Sequence, residues 1–180
     1  MSLFNRKTLK RNIKPAPVPA DHLAALNAWA EMIRSGRVYA LKETELHWEF
    51  ASKIAETVLG YRGPASAGEY TVTSEKAILR GSVDLALGRF GGKTPEILAP
   101  FELKGADTRD LDAIMPGRNK TPVQQAWEYA LNARGVKWVL VSNMLELRLY
   151  GFGEGTTAYE TFHLDRLTDP DEYARFMLLL

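Results

Sequence analysis

The spacing of apolar residues changes at Gly60 from every fourth position to every second, and this change limits the chain to a fold that mixes helices with strands. Before Gly60, four apolar residues recur at helical spacing: Leu46, Phe50, Ile54 and Val58. They predict a helix over residues 43–59, which Gly60 ends. After Gly60 the apolar runs are short and are separated by turn residues, which is typical of β-strands.

The order of the remaining elements indicates an α/β domain. We predict further helices at residues 21–33, 121–134 and from 169 onwards, and strands at 70–73, 77–90, 96–104, 136–143, 146–152 and 158–162. The helix after residue 120 has the clearest start, because Thr121 is a capping residue, Pro122 suits the first turn and Gln124 completes a capping box. Such an order predicts a mixed central sheet flanked by helices.

The composition fits a single globular domain with a basic segment at its amino terminus. The chain has 180 residues, is 46% hydrophobic and carries a net charge of +1. Residues 1–20 are proline-rich and basic, with five cations and no acid. We therefore predict an arm at 1–20, a domain at 21–168 and a terminal helix at 169–180. The arm can bind nucleic acid, although a solvated tail is the commoner role of such a segment.

The residue types that are absent exclude several classes of site. With no cysteine, the chain has no disulfide framework and no cysteine-based zinc site. His22, His47 and His163 are far apart in the sequence and show no ligand spacing. No apolar run reaches membrane-spanning length, and the amino terminus lacks the apolar core of a signal peptide, so we expect a cytoplasmic protein without membrane contacts.

Two of the predicted strands carry charged residues among apolar ones. In the sequence VDLAL, Asp84 lies on the face opposite to the neighbouring leucines. In FELKG, Glu102 and Lys104 lie about 7 Å apart along one face. Phe101 and Leu103 lie on the other face, towards the core. If the two strands pair as a hairpin, Asp84 and Glu102 converge.

Converging carboxylates repel each other unless a cation lies between them. Mg²⁺ suits such a pair, because it prefers oxygen ligands and is usually held by one or two carboxylates. With Lys104 beside the acids, the group is suited to phosphodiester cleavage. The alternative is a solvated strand face, which is the commoner origin of alternating charges. Small neighbours, Ala86 and Gly105, and a polar loop at 105–120 favour a site.

Several motifs resemble a known nuclease family. The spacing of Asp84 from the sequence ELK resembles the D…(D/E)xK signature of the PD-(D/E)XK nuclease superfamily. The ordered blocks FELKGADTRDLDA, GRNKTPVQQAWEYA and KWVLVSNMLELRLYGF are similar to the amino-terminal endonuclease domain of Type IIG restriction-modification enzymes. The likeness covers residues 43–152. It implies a restriction-endonuclease-like core and Mg²⁺-dependent cleavage of double-stranded DNA, with 5′-phosphate and 3′-hydroxyl products.

The resemblance also implies roles for individual residues. Asp84 and Glu102 would ligate Mg²⁺, or Mn²⁺ in its place, together with the carbonyl of Leu103. Lys104 would orient the attacking water and stabilise the transition state. An acidic residue on the helix before the sheet would support the site. Glu43 has the matching position and Glu45 is the substitute. The alternative is that a glutamate at the first turn only stabilises the helix through its dipole.

The helix and loop after the site supply further candidates. Gln125 and Tyr129 share one helix face, and the resemblance implies that this face borders the active site. Otherwise Tyr129 is a core aromatic residue and Gln125 a surface residue. Arg109, Arg118 and Lys120 are candidates for contacts to DNA phosphates, although a charge-balanced loop is the alternative, since three aspartates lie among them.

The resemblance implies partners that these residues do not contain. In Type IIG enzymes the nuclease, methyltransferase and target-recognition domains share one long chain. No glycine-rich cofactor motif or NPPY-like motif occurs here, so we expect no binding of S-adenosylmethionine, and the terminal helix would begin a connector to the methyltransferase domain. The alternatives are a non-catalytic DNA-binding or docking module with the same fold, and a stand-alone repair nuclease.

Overall fold

The computed structural model describes residues 1–78 and 81–180. The helices are α1 (Arg6–Asn12), α2 (Ala20–Arg34), α3 (Glu43–Phe50), α4 (Pro122–Asn132) and α5 (Pro170–Leu179). The strands are β1 (Tyr70–Ile78), β2 (Gly81–Phe90), β3 (Glu96–Leu103), β4 (Trp138–Ser142), β5 (Glu146–Gly151) and β6 (Tyr159–His163). A π-helical segment, Ala51–Val58, continues α3. Leu79 and Arg80, within the predicted strand 77–90, lie outside the described residues.

The six strands form one mixed sheet in the order β1-β2-β3-β4-β5-β6. The structure describes five pairs of neighbouring strands. The pair of β3 and β4 is parallel, and the other four described pairs are antiparallel. A parallel pair needs a crossover connection, and the segment that contains α4 supplies it. The prediction of an α/β fold with a mixed sheet flanked by helices is confirmed, and the capping box of Thr121 and Gln124 at the start of α4 is present.

The main core lies on one face of the sheet. Three helices of the described chain cover it: α2, α5, and the helix that α3 forms together with the π-helical segment. Phe50 fixes α3 against β3, because its ring meets that of Phe101 edge to face with 5.3 Å between the centroids. Phe50 ends α3 and Glu43 begins it. This packing therefore sets the distance of the α3 amino terminus from the carboxyl end of β3.

Helix α4 covers the other face of the sheet. Val123 and Ala126 of α4 pack with Val139 and Val141 of β4 in a second cluster of buried residues. Glu102 is the neighbour of Val141 in the parallel register, so it points to this covered face. The alternative of a solvated strand face is therefore contradicted at Glu102, because α4 crosses this face and leaves the side chain fully buried.

The amino-terminal segment is docked on the sheet rather than extended as a free arm. The backbone of Met1 accepts a hydrogen bond from Tyr159 of β6. Ser2 donates its hydroxyl hydrogen to the buried carboxylate of Glu160, 2.6 Å away. Arg6–Asn12 then forms the short helix α1, which is a departure from the prediction. Among the described residues, no helix is both long and apolar enough to cross a membrane.

Candidate active site

The two predicted acids meet where β2 and β3 pair. Leu85 lies opposite Phe101 in the antiparallel register, and Asp84 and Glu102 are the residues one step beyond this last pair on the two strands. Asp84 Oδ2 accepts a hydrogen bond of 2.7 Å from the backbone N–H of Leu103. This bond fixes the Asp84 carboxylate against β3, beside the side chain of Glu102.

Lys104 lies against Glu102 rather than in solvent. Its Nζ donates a short hydrogen bond to Glu102 Oε1, and its side chain is almost fully buried. The backbone N–H of Lys104 donates to the carbonyl of Ser142, 2.8 Å away, which extends the pairing of β3 with β4 past Leu103. The other carboxylate oxygen, Glu102 Oε2, is buried and has no hydrogen-bond partner among the described residues.

Asp84 is half-buried and Glu102 is fully buried, and burial disfavours the ionised form of both acids. Burial and the charge of Asp84 raise the pKa of Glu102 to about 7, against the opposing effects of Lys104 and Arg118. Burial also raises the pKa of Asp84, although the hydrogen bond from Leu103 opposes this effect. Ionisation of the pair is therefore unfavourable, and a bound cation would relieve the repulsion.

The amino terminus of α3 brings Glu43 to the site and keeps Glu45 away from it. The imidazole of His47, whose Nε2 is 3.6 Å from Glu43 Oε1, lowers the pKa of Glu43, with further contributions from Lys104 and Arg118. Glu45 instead accepts a hydrogen bond of 2.8 Å from the backbone N–H of Lys42 and caps the helix. The structure therefore places Glu43, and not its substitute Glu45, among the charges of the site.

His47 is a member of the site that the sequence analysis missed. His47 lies close enough to influence the pKa of Asp84 as well as that of Glu43, and its Nε2 is buried without a hydrogen bond among the described residues. The available signal was local, because His47 follows Glu43 by one helical turn and shares its face. The spacing of the three histidines from one another does not reveal this relation.

Helix α4 and the loop before it add a polar chain at the edge of the site. Arg118 Nη1 donates to Gln125 Oε1 at 3.3 Å, and Gln125 Nε2 lies 3.4 Å from the hydroxyl of Tyr129. The side chain of Gln125 is buried, which contradicts the surface alternative. Tyr129 is half-buried and also packs on a small apolar cluster that includes Ala86 of β2.

The other predicted DNA contacts have different surroundings. Lys120 pairs with Glu128 on α4, and Arg109 is exposed near the start of the loop. Within the same loop Asp112 accepts a hydrogen bond of 2.7 Å from Arg148 of β5. Its neighbour Leu111 is fully buried, so this part of the loop is packed against the domain.

The carboxylates fit a hard divalent cation. Residues 1–78 and 81–180 contain no group of three or more histidines, cysteines, aspartates or glutamates arranged to hold a metal ion. Mg²⁺ is usually bound by only one or two carboxylates and completes its shell with water. Asp84 and Glu102 supply two, and the unpartnered Glu102 Oε2 is an acceptor that a cation would satisfy.

No family model, curated protein or solved structure matches this chain. The chemistry of the site therefore has to be inferred from its own residues.

Proposed function

We propose that the chain is a Mg²⁺-dependent DNA endonuclease with a restriction-endonuclease-like core, the cleavage module of a Type IIG restriction-modification enzyme. One observation carries the proposal. The fully buried carboxylate of Glu102 and the half-buried carboxylate of Asp84 lie on adjacent strands, and the ammonium of Lys104 donates a hydrogen bond to Glu102. Placing a buried and a half-buried acid side by side costs stability. A reaction that needs a bound cation explains why the two carboxylates lie together at this cost, whereas a purely structural role does not explain it.

The side chains divide the work of phosphodiester hydrolysis. Asp84 and Glu102, with the carbonyl of Leu103, would hold Mg²⁺, or Mn²⁺ in its place. The bound ion supplies a Lewis acid, which polarises a phosphoryl oxygen and lowers the pKa of water. Lys104 places a positive charge beside the acids, where it orients the attacking water and stabilises the charge that develops on the phosphate.

Glu43 and His47 extend the site at the amino terminus of α3. Glu43 carries a carboxylate whose pKa is lowered by His47, so it is ionised at neutral pH. We propose that it supports the site from its outer side by accepting hydrogen bonds from water. Double-stranded DNA is the proposed substrate. The methyltransferase and target-recognition functions are assigned to other domains of a longer chain.

The ends of the cleaved DNA test the type of reaction. Direct attack of water on phosphorus, with the 3′ oxygen as leaving group, leaves a 5′-phosphate and a 3′-hydroxyl. We expect nicks made in supercoiled plasmid with Mg²⁺ to be sealed by DNA ligase without prior treatment. Nicks that need a phosphatase or a kinase before ligation would contradict this reaction.

A further inference from the structure

Arg118 lies in an ordered turn at the end of the loop that follows the site. The backbone N–H of Met115 donates to the carbonyl of Lys120 at 2.9 Å, and that of Arg118 donates to Met115 at 3.2 Å. Gly117 and Asn119, on either side of Arg118, both have positive φ angles, 74° and 49°. The capped start of α4 follows immediately. The backbone of Arg118 therefore has a defined position.

Gln125 gives the guanidinium of Arg118 a defined direction. The amide oxygen of Gln125 accepts from Arg118, and its amide nitrogen faces the hydroxyl of Tyr129. Only 6% of Gln125 is exposed. An amide buried to this extent, on the first turns of a capped helix, has little freedom to turn. The contact leaves further N–H groups of the guanidinium for another acceptor, since arginine has five such donors.

Arg118 is an exposed residue whose positive charge lies near the acids of the site. The positive charge of Arg118 acts on both Glu43 and Glu102, which belong to different elements on two sides of the site. Lys120, two residues later, pairs with Glu128 instead. Arg118 is thus the loop cation that combines a hydrogen bond to a buried side chain of α4 with an electrostatic effect on the carboxylates of the site.

We propose that Arg118 binds a non-bridging oxygen of the DNA phosphate at the site of cleavage, and that Gln125 is the positioning residue for its guanidinium. The inference rests on the proposed function. Of the three cationic residues in the loop, it assigns the phosphate contact to Arg118 and not to Arg109 or Lys120. The planar fork of arginine matches phosphate geometry. Without DNA, the same charge favours the ionised forms of Glu43 and Glu102.

The Arg118→Ala variant tests the phosphate contact. We expect kcat/KM for plasmid cleavage with Mg²⁺ to fall about 100-fold. Binding to a mixed-sequence duplex, with Ca²⁺ in place of Mg²⁺, should weaken by roughly tenfold. Arg134→Ala is the matched control, because Arg134 is an exposed arginine just beyond the other end of α4. It should change neither quantity by more than about twofold.

A double-mutant cycle tests the positioning role of Gln125. Gln125→Met keeps the volume of the side chain and removes the acceptor. We expect it to lower kcat/KM about tenfold in the wild-type background and to have no further effect beside Arg118→Ala, because coupled residues are not additive. Equal losses in both backgrounds would show that Gln125 has only a structural role and would overturn the assignment.

The two readouts separate this inference from the proposed function. If Glu102→Gln abolishes cleavage while Arg118→Ala behaves like Arg134→Ala in both assays, the phosphate contact is wrong and the nuclease stands. If the wild-type chain does not cleave DNA, the nuclease fails. Duplex binding in Ca²⁺ then still decides the phosphate contact: a loss specific to Arg118→Ala supports it, and equal binding by both arginine variants overturns it.

Discussion

The Lys104→Met variant is expected to lose Mg²⁺-dependent DNA cleavage by a factor of about 10²–10³, because it lacks the charge that stabilises the transition state. Methionine retains much of the apolar stem of lysine, so it fills the nearly closed space that Lys104 occupies. Glu102 can then take up a proton, since burial and the charge of Asp84 raise its pKa to about 7 even beside Lys104. The fold should survive, as judged by circular dichroism and a cooperative thermal transition.

Lys53→Met is the control for this variant, because it makes the same chemical change on the helix surface. Lys53 pairs with Glu49 one turn away, and both side chains are substantially exposed. Such pairs contribute little to stability, and we expect wild-type cleavage. Wild-type cleavage by Lys104→Met would remove Lys104 from the mechanism.

The Asp84→Asn variant is expected to melt at a higher temperature than the wild-type chain in EDTA. The substitution removes the repulsion between Asp84 and Glu102, and the amide oxygen of asparagine can still accept the hydrogen bond from Leu103. For a chain of this size, each kcal/mol of relief corresponds to roughly 2–4 °C. Asp165→Asn, at an exposed aspartate, should change the free energy of unfolding by less than about 0.5 kcal/mol.

With Mg²⁺, we expect the wild-type chain to melt at a higher temperature than Asp84→Asn, which reverses their order in EDTA. At about 100 times its dissociation constant, an ion that binds only the folded state stabilises it by roughly 2.7 kcal/mol. We expect this gain in the wild-type chain and in Asp165→Asn, and the loss of most of it in Asp84→Asn, together with the loss of cleavage. A full Mg²⁺ shift in Asp84→Asn, without stabilisation in EDTA, would show that Asp84 is not a ligand.

The stabilisation in EDTA should depend on pH in a defined direction. The pKa of Glu102 in the folded chain is about 7, above its ordinary value of 4.5. As the pH rises the unfolded chain therefore loses this proton first, and the folded state loses stability between pH 4.5 and 7. The advantage of Asp84→Asn over the wild-type chain should grow across this interval and level off above it. An advantage independent of pH would exclude charge repulsion as its cause.

The sequence predicted the elements of the fold well where local patterns determine them. The buried positions Leu46, Phe50, Ile54 and Val58 all follow from spacing alone. Asp84 and Glu102 could be paired because period-2 alternation and a short turn between the strands determine which side chains share a face. These signals lie within one helix or one hairpin, so no knowledge of the distant chain is needed.

Contacts between distant residues explain what the sequence did not reveal. The burial of Glu102 depends on α4, which begins some 20 residues later and covers the sheet only once β3 and β4 are parallel. The defined conformation of the amino-terminal segment depends on a hydrogen bond from Ser2 to Glu160, which lies 158 positions away in the sequence. The polar chain from Arg118 to Gln125 requires the loop to fold back before α4. Alternation within one strand contains no information on any of these contacts.

Cleavage of supercoiled plasmid by the wild-type chain and by Glu102→Gln tests the central claim most directly. Both proteins should be assayed at equal concentration, with Mg²⁺ and with EDTA, after their folding has been verified. We predict nicking by the wild-type chain only with Mg²⁺, and none by Glu102→Gln under either condition. Equal nicking by the two proteins, or nicking that persists in EDTA, would contradict the assignment of Asp84, Glu102 and Lys104 as the active site.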